Sequence, residues 1–279
     1  MKRIYSLILC FVMLFTISIP TFAEENASHS TITINEYELA ERLASETPAT
    51  LSEEGFDSNE IAEIKNYKEI YRNHIKNLNT LNDDILLSNG YTNDQISIIR
   101  SFTGSDEEMR RLGATLNLNA SPSNFRFDGT YTRGTLNYSW SWASIPAFKM
   151  QDMVAVSWNN WAVTSNSSNV KYYNVNTGAY YTSQAATFSQ DGNGVLGAGH
   201  KFKVSLSDNY YYAKSGSGSF TVQSDVQAKK DFYYYMEYGH SQLVTSISFS
   251  VGVGGGDASI GFTTGTVAAD SAKGSKAIP

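Results

Sequence analysis

Apolar and polar positions follow two different periods along this chain. Between residues 35 and 115 apolar side chains recur every three or four positions; from about residue 120 they alternate with polar ones. The first pattern predicts short amphipathic helices. Asn35, with Glu38 three residues on, opens one that carries Leu39 and Leu43 on one face and stops at Pro48. Tyr67, Ile70, Tyr71, His74, Ile75 and Leu78 form the apolar stripe of another, where His74 reads as a packed core residue. Ser105 and Glu108 form a capping box for a short helix through Leu112.

Two of these helical segments are copies. Leu51 to Tyr67 matches Leu86 to Phe102 at an offset of 35, aligning Gly55 with Gly90, Asp57 and Glu60 with Thr92 and Gln95, and Ile64 with Ile99. Each glycine suits the left-handed residue that closes a helix, and each following Asp/Glu or Thr/Gln pair caps the next one.

The second pattern predicts strands. Leu136, Tyr138, Trp140 and Trp142 alternate with Asn137, Ser139 and Ser141, as do Phe202, Val204 and Leu206 with Lys201, Lys203 and Ser205. Met153 to Trp158 is a more continuous apolar run, as in a central strand, and Asn176-Thr177-Gly178 between aromatic runs marks a hairpin. Leu243 to Val253 and Ala258 to Val267 form two alternating arms around Gly254-Gly255-Gly256-Asp257, a second hairpin. The expected fold class is α+β: a small helical N-terminal region, 35–115, followed by an all-β antiparallel sandwich or barrel, 120–268.

The ends and the charges narrow the setting. Met1-Lys2-Arg3, an apolar run through Pro20 and Thr21-Phe22-Ala23 read as a signal peptide over residues 1–23. Residues 24–34 and 269–279 read as a flexible segment and a loose tail. Cleavage after Ala23 would remove Cys10, the one cysteine, so thiol chemistry and disulfides are excluded from the expected secreted form. Residues 24–115 carry 18 acidic and 8 basic side chains, and residues 116–279 carry 9 and 11. An acidic, exported chain is no nucleic-acid binder, even though two helix-turn-helix units are present. The short leader, the absence of other cysteines and the Asn/Ser/Tyr-rich β region resemble secreted proteins of Gram-positive bacteria.

Candidate chemistry is sparse. Ser241, His240 and Asp231 can be drawn as a hydrolase triad, but no nucleophile-elbow motif supports it. A metal site of His200, His240 and an aspartate would need adjacent strands to align the two histidines; 40 residues apart they are a weak signal, and hydrogen-bonded structural roles are expected for both. Asp191-Gly192-Asn193-Gly194 lacks the later bidentate acid of a calcium loop and reads as a turn. The nine acids after residue 115 form no glycosidase pair. No cofactor or metal is expected.

Paired tyrosines are the stronger signal. The runs 172–173, 180–181, 210–212 and 233–235 put a ring on each face of an extended segment, so at least one ring per run should be outside the core. Tyr172, Tyr180, Tyr211 and Tyr234, with His200 and His240, are the candidate binding residues. The leading expectation is a secreted, non-catalytic binding protein acting outside the cell or at its envelope, with a glycan or surface protein as partner. The alternatives are a β-pore or membrane-interacting protein using the 243–267 hairpin, whose arms approach the ~9–11 residues of a membrane strand, and a hydrolase using His240.

Overall fold

A computed structural model describes residues 30–53, 56–191, 195–227, 229–241, 247–254, 257–262, 266–268 and 272–278. After a first strand, the described residues form seven short helices: α1 (Glu36–Ser45), α2 (Pro48–Glu53), α3 (Ser58–Lys65), α4 (Tyr67–Leu78), α5 (Asp83–Ser88), α6 (Asn93–Arg100) and α7 (Asp106–Leu112). Helices this short do not persist by propensity alone, so their apolar faces are packed and, α4 excepted, a side chain caps the N-terminus. Asp57 with Glu60, Thr92 with Gln95, and Ser105 with Glu108 all make reciprocal capping boxes.

The 35-residue repeat is structural as well as textual. α5 and α6 begin and end 35 positions after α2 and α3. Phe56 N–H donates to Leu51 C=O at 3.0 Å, and Tyr91 N–H donates to Leu86 C=O at 3.1 Å. Leu51, Phe56 and Ile64 are buried together in one copy, and Leu86, Tyr91 and Ile99 in the other. Gly90 takes the expected left-handed conformation, φ +100°, while its counterpart Gly55 lies outside the described residues.

The β region forms two open antiparallel sheets packed face to face, a sandwich-like layout rather than a closed barrel. The first contains β1 (Ser30–Asn35), β2 (Thr115–Phe127), β3 (Thr132–Trp142), β5 (Trp161–Asn174), β6 (Tyr180–Gln184), β9 (Ser205–Leu206) and β10 (Tyr211–Ser224). Its order is β1-β2-β3-β10-β5-β6, with β9 also paired to β10. The second contains β4 (Gln151–Trp158), β7 (Thr187–Gln190), β8 (Gly197–Lys203), β11 (Asp231–Ser241), β14 (Thr266–Ala268) and β15 (Ala272–Ala277). Its order is β14-β11-β4-β8-β7, and β15 continues along the same side of β11 as β14.

Aromatic rings fill the space between the sheets. Trp140 stacks on Phe202 at 4.7 Å, and Phe125, Trp161 and Phe232 pack edge and face at one end of the sandwich. The helices cover the other end. Tyr71, Tyr91 and Met109 of the helices share a core with Ile145, Phe148 and Tyr212 of the β region.

Two segments expected to be loose are ordered by pairing. Residues 30–34 belong to β1, in register with β2 from Ser30 opposite Ala120 to Asn35 opposite Thr115. Within 269–279, residues 272–277 form β15 on β11, and Ile278 is buried in the sandwich core. β1 carries an alternation of its own, Ile32 and Ile34 against Thr31 and Thr33, whereas β15 has none and is a strand by virtue of its neighbour.

The described residues include part of the glycine-rich hairpin. That part comprises β12 (Phe249–Gly254) and β13 (Asp257–Phe262), registered from Phe249 opposite Phe262 to Gly254 opposite Asp257. Residues 242–246, 255–256 and 263–265 of the predicted arms and turn lie outside the described residues. The hairpin is a two-stranded sheet of its own and lies over the outer face of the second sheet, where Val251 and Phe249 meet Gly197 and Gly199.

Candidate functional site

Where the helices meet the sandwich, three ionisable side chains are fully buried together: Glu36, Asp152 and His240. Asn35 caps α1 and places Glu36 at its first turn, with Asp152 near the start of β4 and His240 near the end of β11. His240 Nε2 lies 3.0 Å from Glu36 Oε1, and its Nδ1 lies 2.9 Å from Asp152 Oδ1. Glu36 also accepts from Tyr71 O–H at 2.6 Å, Ala147 N–H at 2.8 Å and Phe148 N–H at 2.9 Å. Asp152 accepts from Tyr238 O–H at 2.5 Å and Ser241 N–H at 3.2 Å.

These partners fix the protonation. Burial alone would push the His240 ring toward neutrality, but the Asp152 charge and hydrogen bond, joined by Glu36, outweigh it and hold its pKa at about 10. Burial pushes the Glu36 carboxyl upward, and His240, Tyr71 and Ala147 more than reverse this, leaving it below its usual value. The cluster is therefore a buried carboxylate–imidazolium–carboxylate chain at neutral pH. A general base needs a free lone pair facing a substrate. Both His240 nitrogens face carboxylates and the ring is fully buried, so His240 ties the helical layer to the sandwich. Asp231, drawn into the hypothetical triad, stands at the opposite end of β11 and accepts from Asn159 Nδ2 at 2.9 Å.

His200 occupies a separate place. Its Nδ1 lies 2.7 Å from Tyr138 Oη and its Nε2 lies 3.1 Å from Asn166 Oδ1, and its ring stacks on Phe220 at 4.6 Å. Burial lowers its pKa to about 4. β4 separates it from His240: His200 opposes Val154 on one edge and His240 opposes Asp152 on the other. Among the described residues no three His, Cys, Asp or Glu side chains are placed to hold a metal.

The tyrosine runs split between core and surface. Tyr172 is buried and donates to Lys203 C=O at 2.8 Å; Tyr234 is buried over Gly274 of β15. Both therefore lack the surface that a ligand-stacking role requires. Their neighbours take the outward positions, with Tyr233 exposed. Tyr180 and Tyr211 do reach the surface, on β6 and β10.

At this edge of the first sheet the rings form two pairs. Tyr181 stacks on Tyr211 with centroids 3.8 Å apart and planes 13° apart. Tyr173 and Tyr180, directly opposed in register, meet edge-on at 5.7 Å, with Lys214 Nζ 5.2 Å from the Tyr173 ring centre. Tyr173 opposes the inner-core Tyr212 and alternates with Tyr172, so the two pairs lie on opposite faces of the ribbon. Tyr180, Tyr181 and Tyr210 are 55%, 52% and 57% exposed, which leaves ring faces and hydroxyl tips open to a ligand.

Sequence reading passed over Tyr181, Tyr210 and Tyr173 because a doublet does not say which ring faces out. It passed over Glu36 and Asp152 as well. The signal available for Asp152 was a charge placed directly against the apolar run Met153 to Trp158.

No family model and no curated protein matches the chain. Solved structures similar to it include a collagen-binding domain from a Staphylococcus aureus adhesin, at 11% identity over 56% of this chain and 93% of that one, TM-score 0.30. Others are a pore forming protein, at 9% identity over 58% and 78%, TM-score 0.23, and the Clostridium perfringens NetB toxin in its membrane-inserted form, at 10% identity over 58% and 82%, TM-score 0.20. Likeness at this level carries no conclusion about activity.

Proposed function

We propose that the protein is a non-catalytic binding module that acts outside the cell or at its envelope, and that its ligand face is the tyrosine edge of β6 and β10. The observation that carries this reading is the Tyr181–Tyr211 stack, in which the exposed Tyr181 ring lies parallel on a half-buried Tyr211 that is itself packed against the sandwich core. Stacked phenol rings offer flat apolar faces with polar rims, which suits the C–H faces of sugar rings in an envelope glycan. The fully buried chain from Glu36 to Asp152 supports the same division of labour, because it clamps the helical layer to the sandwich and has no face open to a ligand.

The test is retention on purified cell-wall sacculi. Tyr181→Ala combined with Tyr211→Ala should weaken retention about tenfold, the factor that ~1.4 kcal/mol of lost stacking represents. Equal retention of wild type and a folded double variant, or none by the wild type, would remove this reading.

A further inference from the structure

Between α4 and the connection from α6 to α7 the helical layer encloses a cleft of about 400 Å³. One wall is α4 and its C-cap, where Arg72, Ile75, Lys76 and Asn79 follow the spacing of a single helix face. The other wall runs from Ile99 on α6 through Phe102 to Gly104. Ile75 and Ile99 are buried and make an apolar floor, which the half-buried Phe102 borders. A volume of this size falls within the roughly 300–1,000 Å³ of small-molecule sites.

The 35-residue repeat explains how the cleft arises. Ile99 and Phe102 correspond to Ile64 and Tyr67 of the first copy. There the chain runs from α3 almost directly into α4, so Tyr67 begins a helix and is buried. In the second copy residues 102–105 are not helical, Gly104 takes φ +94°, and α7 begins only at Asp106. Phe102 is thereby left at the edge of a gap that a helix fills in the first copy. A Cβ on Gly104 would stand 3.6 Å from Arg72 Nε, so the guanidinium lies beside this bend.

The charged groups of the cleft are cationic and little used by the fold. Elsewhere in the layer Lys65 donates to Ala44 C=O, Lys68 pairs with Asp106, Arg100 with Asp83 and Arg110 with Glu41. Among the described residues Arg72 meets only Glu69, at 3.6 Å and without a hydrogen bond, and Lys76 has no partner. The two cations stand four residues apart on one helix, where like charges repel. The nearby Glu108 does not relieve them, because it accepts from Thr103, Gly104 and Ser105. Asn79 Oδ1 accepts from Arg100 at 2.9 Å, which leaves the amide donors of Asn79 free.

We propose that this cleft binds a small monocarboxylate with an apolar body, the chemistry of a medium-chain fatty acid. Arg72, Lys76 and the Asn79 amide receive the carboxylate at the mouth, and the body lies on Ile75, Ile99 and Phe102. One negative charge matches the site, since Glu69 already offsets part of the Arg72 charge and Lys76 remains. The site shares no residue with the tyrosine edge, so the two readings stand or fall separately.

The experiment is isothermal titration calorimetry of the protein with decanoate, decanol and butyrate below micelle-forming concentrations, with hydrogen exchange to locate the site. Decanoate should bind and slow exchange at residues 72–79 and 99–104. Decanol, which lacks the charge, and butyrate, which lacks most of the body, should each bind at least about tenfold more weakly. Arg72→Gln combined with Lys76→Gln should weaken decanoate about tenfold and leave decanol unchanged, with the melting temperature kept. The ligand series needs no variant, so it decides even if the double variant is unstable. No binding of decanoate, slowed exchange elsewhere, decanol or butyrate as tight as decanoate, or full affinity in a folded double variant would each overturn the proposal.

Discussion

The two copies of the helical repeat start from one local design and reach different surroundings. Both close with the same backbone bond, from Phe56 to Leu51 and from Tyr91 to Leu86. The first copy packs Leu51, Phe56 and Ile64 into a small cluster beside Leu43 and Ala44. The second joins the large core beneath the sandwich. What separates them is polar and stands at the turn. Asn89, fully buried, donates to Val175 C=O at 2.8 Å, and Tyr91 O–H, where the first copy has Phe56, lies 3.4 Å from Ile145 C=O. Ser88 C=O accepts from Lys214, and Gly90 lies so close to Ala143 that a Cβ would meet its carbonyl oxygen at 1.9 Å. Local signals make a helix-turn-helix; a few polar atoms at its corner decide what it docks on.

The comparison breaks most severely if the anchor between the layers is removed. Glu36→Ala leaves His240 with one carboxylate and should cost about 3–5 kcal/mol, read from urea midpoints, with hydrogen exchange at Leu86–Arg100 accelerating. The same cluster gives a pH signature. His240 has a folded pKa of about 10 against a usual 6.5, so its contribution is complete below 6.5 and is lost as pH rises through 10. Glu36 sits below its usual 4.5, so its contribution is present above 4.5 and is lost as pH falls through the lower folded value. Stability should therefore decline from about pH 6.5 to about 10 in the wild type, and less steeply in Glu36→Ala; parallel profiles would refute the role given to the cluster.

A smaller effect tests the copies directly. Leu86→Ala should cost about 3–4 kcal/mol in global unfolding, whereas Leu51→Ala, in a cluster with few neighbours to lose, should cost about 2 kcal/mol and open mainly its own copy in hydrogen exchange. Equal global losses would mean that the first copy is as integral as the second. Smallest is Tyr91→Phe, which restores the first copy's residue and removes one long hydrogen bond. A loss of under about 1 kcal/mol is expected, with no change at Phe56.

These differences mark the limit of what the chain discloses by itself. The capping boxes, the glycine turn and the offset of 35 were legible because each is settled within a few residues. The sandwich was legible from alternation, as at Leu136 to Trp142. Which tyrosine faces outward was not. A bulge between Tyr172 and Tyr173 shifts the β5–β6 register, and Tyr234 faces inward because β11 is set by β4 on one side and β15 on the other. β15 itself, Ala-Lys-Gly-Ser-Lys-Ala, has no apolar period and is a strand because Gly274 lies under Tyr234. Glu36 reads locally as a first-turn acid favoured by the helix dipole, and nothing nearby announces the histidine that buries it.

The separation between Glu36 and that histidine, 204 residues, has a kinetic consequence. Capped helices with neighbouring contacts close small loops and form within microseconds, whereas a contact across most of the chain must await the ordering of the long-range sheets between its ends. The helical layer therefore matures early with its acid still hydrated, and the sandwich later presents the imidazolium that draws it inside. Other ties between the layers, such as Tyr91 to Ile145 across 54 positions, can form sooner, so closure of the Glu36–His240 contact is expected to be late in assembly and early in its reversal.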